Sequence, residues 1–171
     1  MTSRRNLLLL PLAMLPLGLA GCGFQPLYGN RQGGGAAATP EMAQIAIATI
    51  GDRAGQLLRN ELRDRLTPGG VPAQPRWRLD VTLTETTTDL VILQDATSTF
   101  AKYLGDARWV LIDLASDAPA LQGRSRQLAS YSISSSEFAS LQAESDARRR
   151  VVAAIAEDIR LRLGIYFKRD G

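Results

Sequence analysis

The sequence predicts an α+β fold, a two-layer sandwich in which a four-stranded sheet carries two helices packed on one face, in the order β-α-β-β-β-α. Three observations predict it. Trp77, Leu79, Val81 and Leu83 alternate with Arg76, Arg78, Asp80, Thr82 and Thr84, the period of a strand with one buried face. Between Ala54 and Leu66 the leucines recur at spacings of three and four, the period of a half-buried helix. The segment from Ser134 to about Phe167 carries an apolar stripe long enough to cross a whole sheet. One apolar sheet face and two apolar helix stripes bury each other most simply as two layers.

In chain order, Ile45, Ile47 and Ile50 form a short β-branched run ending at Gly51, a first strand. Asp52 is placed to cap the helix that follows. That helix carries Ala54, Leu57, Leu58, Leu62 and Leu66 on its apolar side, interrupted only at Glu61, and Thr67-Pro68-Gly69-Gly70 stops it. The second strand starts at Trp77 and continues or bends through the threonines, and Leu90 to Leu93 form a brief apolar run before Gln94-Asp95. Arg108 to Leu114, with Trp109 and Leu111, reads as a third strand, and Asp117-Ala118-Pro119 as a turn. Arg124 to Ser134 gives a fourth, with Ala129, Tyr131 and Ile133 on one face. Ser134 and Glu137 have capping-box spacing, and Leu141, Ala147, Val151, Ala154, Ile155, Ile159, Leu163 and Tyr166 line the apolar side of the closing helix.

The N-terminus sets the compartment. Arg4 and Arg5 precede an apolar run from Leu7 to Leu19 that contains Pro11 and Pro16 and ends in small residues. A spanning helix needs about 20 apolar residues, so this shorter, proline-broken run reads as a signal peptide over residues 1–21 rather than a permanent anchor. Leu19-Ala20-Gly21-Cys22 resembles a lipobox, in which the cysteine is acylated and becomes the first residue after cleavage. Cys22 is the only cysteine in the chain, so no disulfide can form within it. The expected modification is a diacylglycerol and an N-acyl lipid on Cys22, with palmitate among the acyl groups, and no other cofactor. Several acyl chains at about 0.8 kcal/mol per buried methylene hold a domain on a membrane without a spanning helix. Gly23, where sorting to the inner membrane would favour Asp, points to the outer membrane. The general and twin-arginine export routes both stay open, since Arg4-Arg5 suits either.

Residues 22–40 then form the lipidated N-terminus and a flexible tether, because Gly29 to Pro40 has a glycine content that cannot bury a core. Residues 41–168 form a single α+β domain. Without Arg4 and Arg5 the 20 basic residues fall to 18 against 17 acidic ones, a net charge of about +1, and nothing calls for nucleic acid. The chain has no histidine. With a single cysteine, this excludes a Cys/His pair, a Ser/His/Asp triad and the usual zinc sites. Glu85 and Asp89 are the closest pair of acids on one segment, and two acids alone suit only glycosidase-type chemistry. The chain reads as a non-enzyme.

Gly21-Cys22-Gly23-Phe24-Gln25-Pro26-Leu27-Tyr28, then this order of elements, then Leu128-Ala129-Ser130-Tyr131 leading to Asp146-Ala147 and a long closing helix, resemble the LptE family of lipopolysaccharide-assembly lipoproteins, in its alphaproteobacterial form. The resemblance implies an outer-membrane lipoprotein facing the periplasm. It implies a plug inside the LptD-type outer-membrane β-barrel, which the protein helps to assemble, and binding of lipopolysaccharide on its way to the cell surface. It implies no covalent chemistry. The resemblance implies that the glycolipid is met by basic positions on the sheet, without assigning them to particular residues of this chain. The competing reading is a scaffolding or pilot lipoprotein of another envelope complex, with no glycolipid ligand.

From the residues themselves, alternation puts Arg76 with Arg78, and Arg124 with Arg126, opposite the buried side chains of their strands. If the two strands lie near one another, four guanidiniums form a patch suited to phosphates. The plainer reading is a set of solvated arginines, some paired with Asp80 or Asp113. Lys102 and Arg108 are further contributors. Arg148-Arg149-Arg150 spans most of a helical turn and reads as a solvated face, and Trp77 and Trp109 read as core.

Overall fold

The structure, a computed structural model, describes residues 39–92 and 99–169. Residues 1–38, with the expected signal peptide, Cys22 and nearly all of the tether, lie outside it, as do Leu93, Gln94 and Asp95.

A 3₁₀ turn at Met42–Gln44 leads into β1, Ile45–Ile47, and the chain then turns into α1, Asp52–Leu66. Three long strands follow, β2 Trp77–Ile92, β3 Thr99–Asp113 and β4 Ala118–Ile133, and α2, Glu137–Arg169, closes the fold. The sheet order is β1-β2-β3-β4, with β1 parallel to β2 and the other pairs antiparallel. The predicted element order, strand number and sandwich architecture are those observed.

Register fixes the two faces of the sheet. Leu79 pairs with Leu111, Val81 with Trp109, and Ala107 with Ser125, so the odd-numbered residues of all three long strands share one face. That face holds the core: Trp77, Leu79, Tyr103, Trp109 and Leu111 are buried against Leu58, Leu62 and Leu66 of α1 and Val151, Ile155, Ile159 and Leu163 of α2. Both tryptophans are therefore core residues, as expected. Trp77 also packs edge-on against Tyr166 and Phe167, with centroids 6.3 and 5.5 Å away.

Several local expectations shift. Ile50 lies beyond β1 but is still buried, seated on Gly55 of α1, where a Cβ would come within 2.6 Å of its Cγ2. Asp52 does not cap α1. Gly51 holds that position with no side-chain hydrogen bond, and Asp52 is the first helical residue with a φ of 63°. β2 runs straight through the threonines, β3 starts at Thr99 rather than Arg108, and the turn falls at residues 114–117, ahead of the expected Asp117 to Pro119, with Asp117 at a φ of 49° and β4 starting at Ala118 rather than Arg124. The cap of α2 is Ser136, whose Oγ accepts the Ala139 amide at 3.4 Å, while Ser134 accepts the Ser136 amide at 3.2 Å. The apolar side of α2 is also broader than one stripe. Val152, Ala156 and Phe167 are buried while Ala154 and Leu141 are exposed, because α2 packs against α1 as well as against the sheet. Arg65 of α1 reaches Glu157 of α2 at 3.6 Å. Glu157 is held below the usual carboxylate range by its hydrogen bond from Arg160 and by the nearby charges of Arg160 and Arg65, against the opposing effect of burial.

Candidate functional site

The even-numbered residues of the long strands form the other face, which carries no helix. Alternation brings Arg78 of β2, Asp106 and Arg108 of β3, and Arg124 and Arg126 of β4 onto it. Arg108 stands directly opposite Arg124, and Asp106 opposite Arg126. Arg124 grips Asp106 with both arms, its Nε donating to Oδ1 at 2.7 Å and Nη2 to Oδ2. This fork-to-fork geometry is the strong form of an ion pair. The hydrogen bond from Arg124, with the charges of Arg124, Arg126 and Arg108, holds the Asp106 carboxyl below its ordinary range, although burial pushes the other way. The Arg124 guanidinium is raised in turn by the same bond.

Three guanidiniums thus surround one carboxylate. Arg108 and Arg126 make no hydrogen bond or ion pair among the described residues, so the cluster keeps an excess of positive charge on an exposed surface. Two residues further along the strands, Leu104 pairs with Leu128, which is 54% exposed, and Phe100 lies beyond them at 44%. Cationic and apolar surface therefore adjoin on the face without helices.

The predicted arginines are not all brought together. β3 lies between β2 and β4, and by a strand rise of about 3.3 Å and a spacing of about 4.8 Å, Arg78 and Arg124 are roughly 16 Å apart. Arg78 is occupied by Asp80, Nε to Oδ1 at 3.1 Å, the plainer reading of that residue. Arg76 precedes β2, and its guanidinium sits over the Trp77 ring, 5.1 Å from the centroid. Arg124 and Arg126 are joined by Arg108, one of the two further contributors, because the β3–β4 register sets it directly opposite Arg124. Asp113 accepts the Ala115 amide at 2.9 Å. Lys102 is on the same face as the cluster but nearer the Phe100 end.

Each arginine of the run in α2 is ion-paired, Arg149 and Arg150 sharing Asp146. Arg148 bonds Glu85 at 3.1 Å and Glu144 at 2.9 Å, Arg149 reaches Asp146 at 3.5 Å, and Arg150 bonds Asp146 and the Ser130 carbonyl. Glu85, the only acid weighed with Asp89 for catalysis, is therefore held in an ion pair. No group of three or more acids, cysteines or histidines able to hold a metal exists among the described residues. No helix among them is long and apolar enough to cross a membrane.

No curated protein matches the sequence. Among solved structures, a lipoprotein from Caulobacter crescentus CB15 superposes with a TM-score of 0.62 at 20% identity, over 77% of this chain and 95% of that one, a likeness of fold. A minor lipoprotein from Acinetobacter baumannii gives a TM-score of 0.48 at 15% identity, over 73% of this chain and 93% of that one. Rare lipoprotein B from Shewanella oneidensis gives 0.47 at 11%, over 74% and 96%. The model of the LptE family, described as lipopolysaccharide-assembly, matches residues 42–163, from the 3₁₀ turn to Leu163 in the last third of α2. With that match over most of its length and the two-layer fold to go with it, this chain belongs to the LptE family.

Proposed function

We propose that the chain is an outer-membrane lipoprotein, cleaved before Cys22 and anchored by a diacylglycerol and an N-acyl lipid there, with residues 22–40 as tether and 41–168 as a periplasm-facing domain. The domain plugs an LptD-type β-barrel, assists its assembly, and binds lipopolysaccharide on its way to the surface. Family membership supports the coarser part: the LptE family consists of non-enzymatic lipoproteins that act in lipopolysaccharide assembly.

The observation that carries the finer part is the arginine cluster beside the half-buried Leu104 and the exposed Leu128 on a face that the fold leaves uncovered. Guanidiniums bind phosphate oxygens in pairs and shed water more readily than ammonium groups, which suits Arg108, Arg124 and Arg126 to the phosphorylated head of a glycolipid. Leu104 and Leu128 lie where the first methylenes of its acyl chains would run. Binding is an ionic contact without bond making, so it weakens as salt screens the surface charges. Of the four arginines that alternation places opposite the buried side chains, Arg124 and Arg126 belong to this patch, while Arg78 and Arg76 already have Asp80 and Trp77 as partners.

The test is a mild-detergent purification of the tagged full chain from outer membranes, with partners identified by mass spectrometry. A large β-barrel recovered one to one supports the plug reading. Secretin subunits or cell-wall components alone would replace it with a scaffold. In the same strain, Cys22→Ala is expected to abolish metabolic labelling with palmitate and to release the protein from the membrane fraction.

A further inference from the structure

The two edges of the sheet are finished differently. On the β4 edge, α2 packs along the strand, Pro119 sits near its start, and Arg150 donates to the Ser130 carbonyl at 3.3 Å. These are devices that keep a strand edge from pairing. On the other edge, β1 pairs only with Trp77 to Leu79, and Ala48 donates to the Leu79 carbonyl at 3.0 Å as the last backbone bond. The Leu79 carbonyl points outward, so by alternation the backbone N–H and C=O groups of Leu83, Glu85, Thr87 and Asp89 point outward too. None of them has an outer partner among the described residues. From Thr84 to Asp89 every residue is exposed, and this stretch holds no proline and no lysine to guard it.

The chain leaves β1 where a longer strand would have covered this edge. A cavity of about 290 Å³ lies there, between Gly51, Asp52 and Gly55 of the α1 start and Leu83, Thr84 and Glu85 of β2. Its charged lining residues are both acidic. Asp89 follows four residues after Glu85 on the same side of the strand. Arg148, which bonds Glu85, is shared with Glu144, and neither Asp52 nor Asp89 has an ion-pair partner among the described residues.

We infer that the outer edge of β2 from Leu83 to Asp89 is a strand-addition site, and that its occupant is an extended segment of another protein with basic residues at alternate positions. The bare backbone groups supply the affinity of added strands, and Asp52, Glu85 and Asp89 supply the preference for cationic side chains. A second copy of this chain is the poorer occupant. Antiparallel pairing of two β2 edges would put Glu85 and Asp89 of each copy on the same side as those of the other, and like charges across strands repel. This inference uses the sheet edge and stands apart from the glycolipid reading of the open face.

The experiment measures backbone amide exchange by NMR in the full chain, with a blocked peptide that alternates lysine and threonine as the probe. The expected result is that the amides of Glu85, Thr87 and Asp89 slow by about tenfold or more at saturating peptide, as new ladder bonds would require. A peptide with glutamate in place of lysine leaves them unchanged. Thr87→Pro removes one outward N–H, which an edge position tolerates, and abolishes the protection while the β3-facing amides of Thr86 and Thr88 remain slow. Asp89→Lys, which leaves the backbone donors in place, weakens the lysine peptide and admits the glutamate one. The inference is overturned if the lysine peptide protects none of these amides, or if they are already slow in the free protein. It is also overturned if they become slow on self-association without peptide, seen as a concentration-dependent dimer in sedimentation.

Discussion

The two faces of one sheet obey different rules. On the helix-packed face, each odd-numbered position from Trp109 to Leu111 and from Trp77 to Leu79 is buried, and any change of volume is felt by α1 or α2. On the open face, Arg108, Arg124 and Arg126 touch no helix, and the fold requires of them only that they be compatible with a strand. The first face explains why the chain folds. The second is where composition is free of the core, so three arginines around Asp106 need a reason outside the fold.

The largest expected effect lies at Trp109. Its ring lies over Gly123, where a Cβ would be 2.4 Å from the indole, and its Nε1 donates to the buried Ser125 at 3.2 Å. Ser125 in turn donates to Asp158, which holds Arg162 at 3.0 Å. Trp109→Ala is expected to cost about 3–5 kcal/mol in urea unfolding, the range for losing a large buried aromatic side chain. Gly105→Ala comes next. Its Cβ would stand 2.6 Å from Val151 Cγ1 and 2.9 Å from Ile155 Cδ1, so those side chains or the strand must shift, at about 1–3 kcal/mol. Stability unchanged in both variants would mean that the helix face is not packed as described, and the contrast between the faces would collapse.

Gly105 also shows why parts of the fold were hidden in the sequence. Ala101, Gly105 and Ala107 occupy buried positions of β3 because α2 comes so close to the strand, and small residues give no hydrophobic alternation to read. The alternation therefore becomes readable only from Arg108, although the strand starts at Thr99. The threonines of β2 were ambiguous for the opposite reason, since past Leu83 neither face of that strand is covered and no period is imposed. Where burial is one-sided and the side chains are large, as in Trp77 to Val81 or Leu58 to Leu66, the reading was sound. Alternation also put Arg78, Arg124 and Arg126 on the correct face. The sheet order, which separates Arg78 from the others by a whole strand and adds Arg108, depends on long-range pairing that no local pattern encodes. The cap of α2 was misplaced by two residues because Ser134, Ser135 and Ser136 are chemically equivalent, and only the geometry of the chain entering the helix selects one.

A smaller effect on stability, with a large one on ligand, is expected from the open face. Replacing Arg108, Arg124 and Arg126 together by alanine should leave the urea unfolding midpoint nearly unchanged, because exposed ion pairs contribute little. The same variant should bind lipopolysaccharide more weakly and lose the salt dependence of binding, measured on purified glycolipid in detergent. Arg78→Ala, whose charge is already matched by Asp80, should leave both nearly unchanged. Equal losses from Arg78→Ala and from the triple variant would show that binding follows net charge rather than the cluster.

The smallest expected effect is on the titration of Asp106. The Arg124 fork, aided by the charges of Arg126 and Arg108, holds this carboxyl below its ordinary value, so the folded state binds its proton less readily than the unfolded chain. The stabilising contribution is therefore fully present above the usual aspartate range, about pH 3.9, and is lost as pH falls through the lower folded value. Arg124→Ala removes the first and largest cause, and the carboxyl carbon followed by NMR should titrate at higher pH than in the parent protein. Its midpoint should still respond to added salt, since Arg108 and Arg126 act on it through space. A midpoint unmoved by the substitution would mean that Arg124 is not bound to Asp106 in solution. The open face would then present a free guanidinium at each of three positions, and its difference from the helix face would be greater than the ion pair implies.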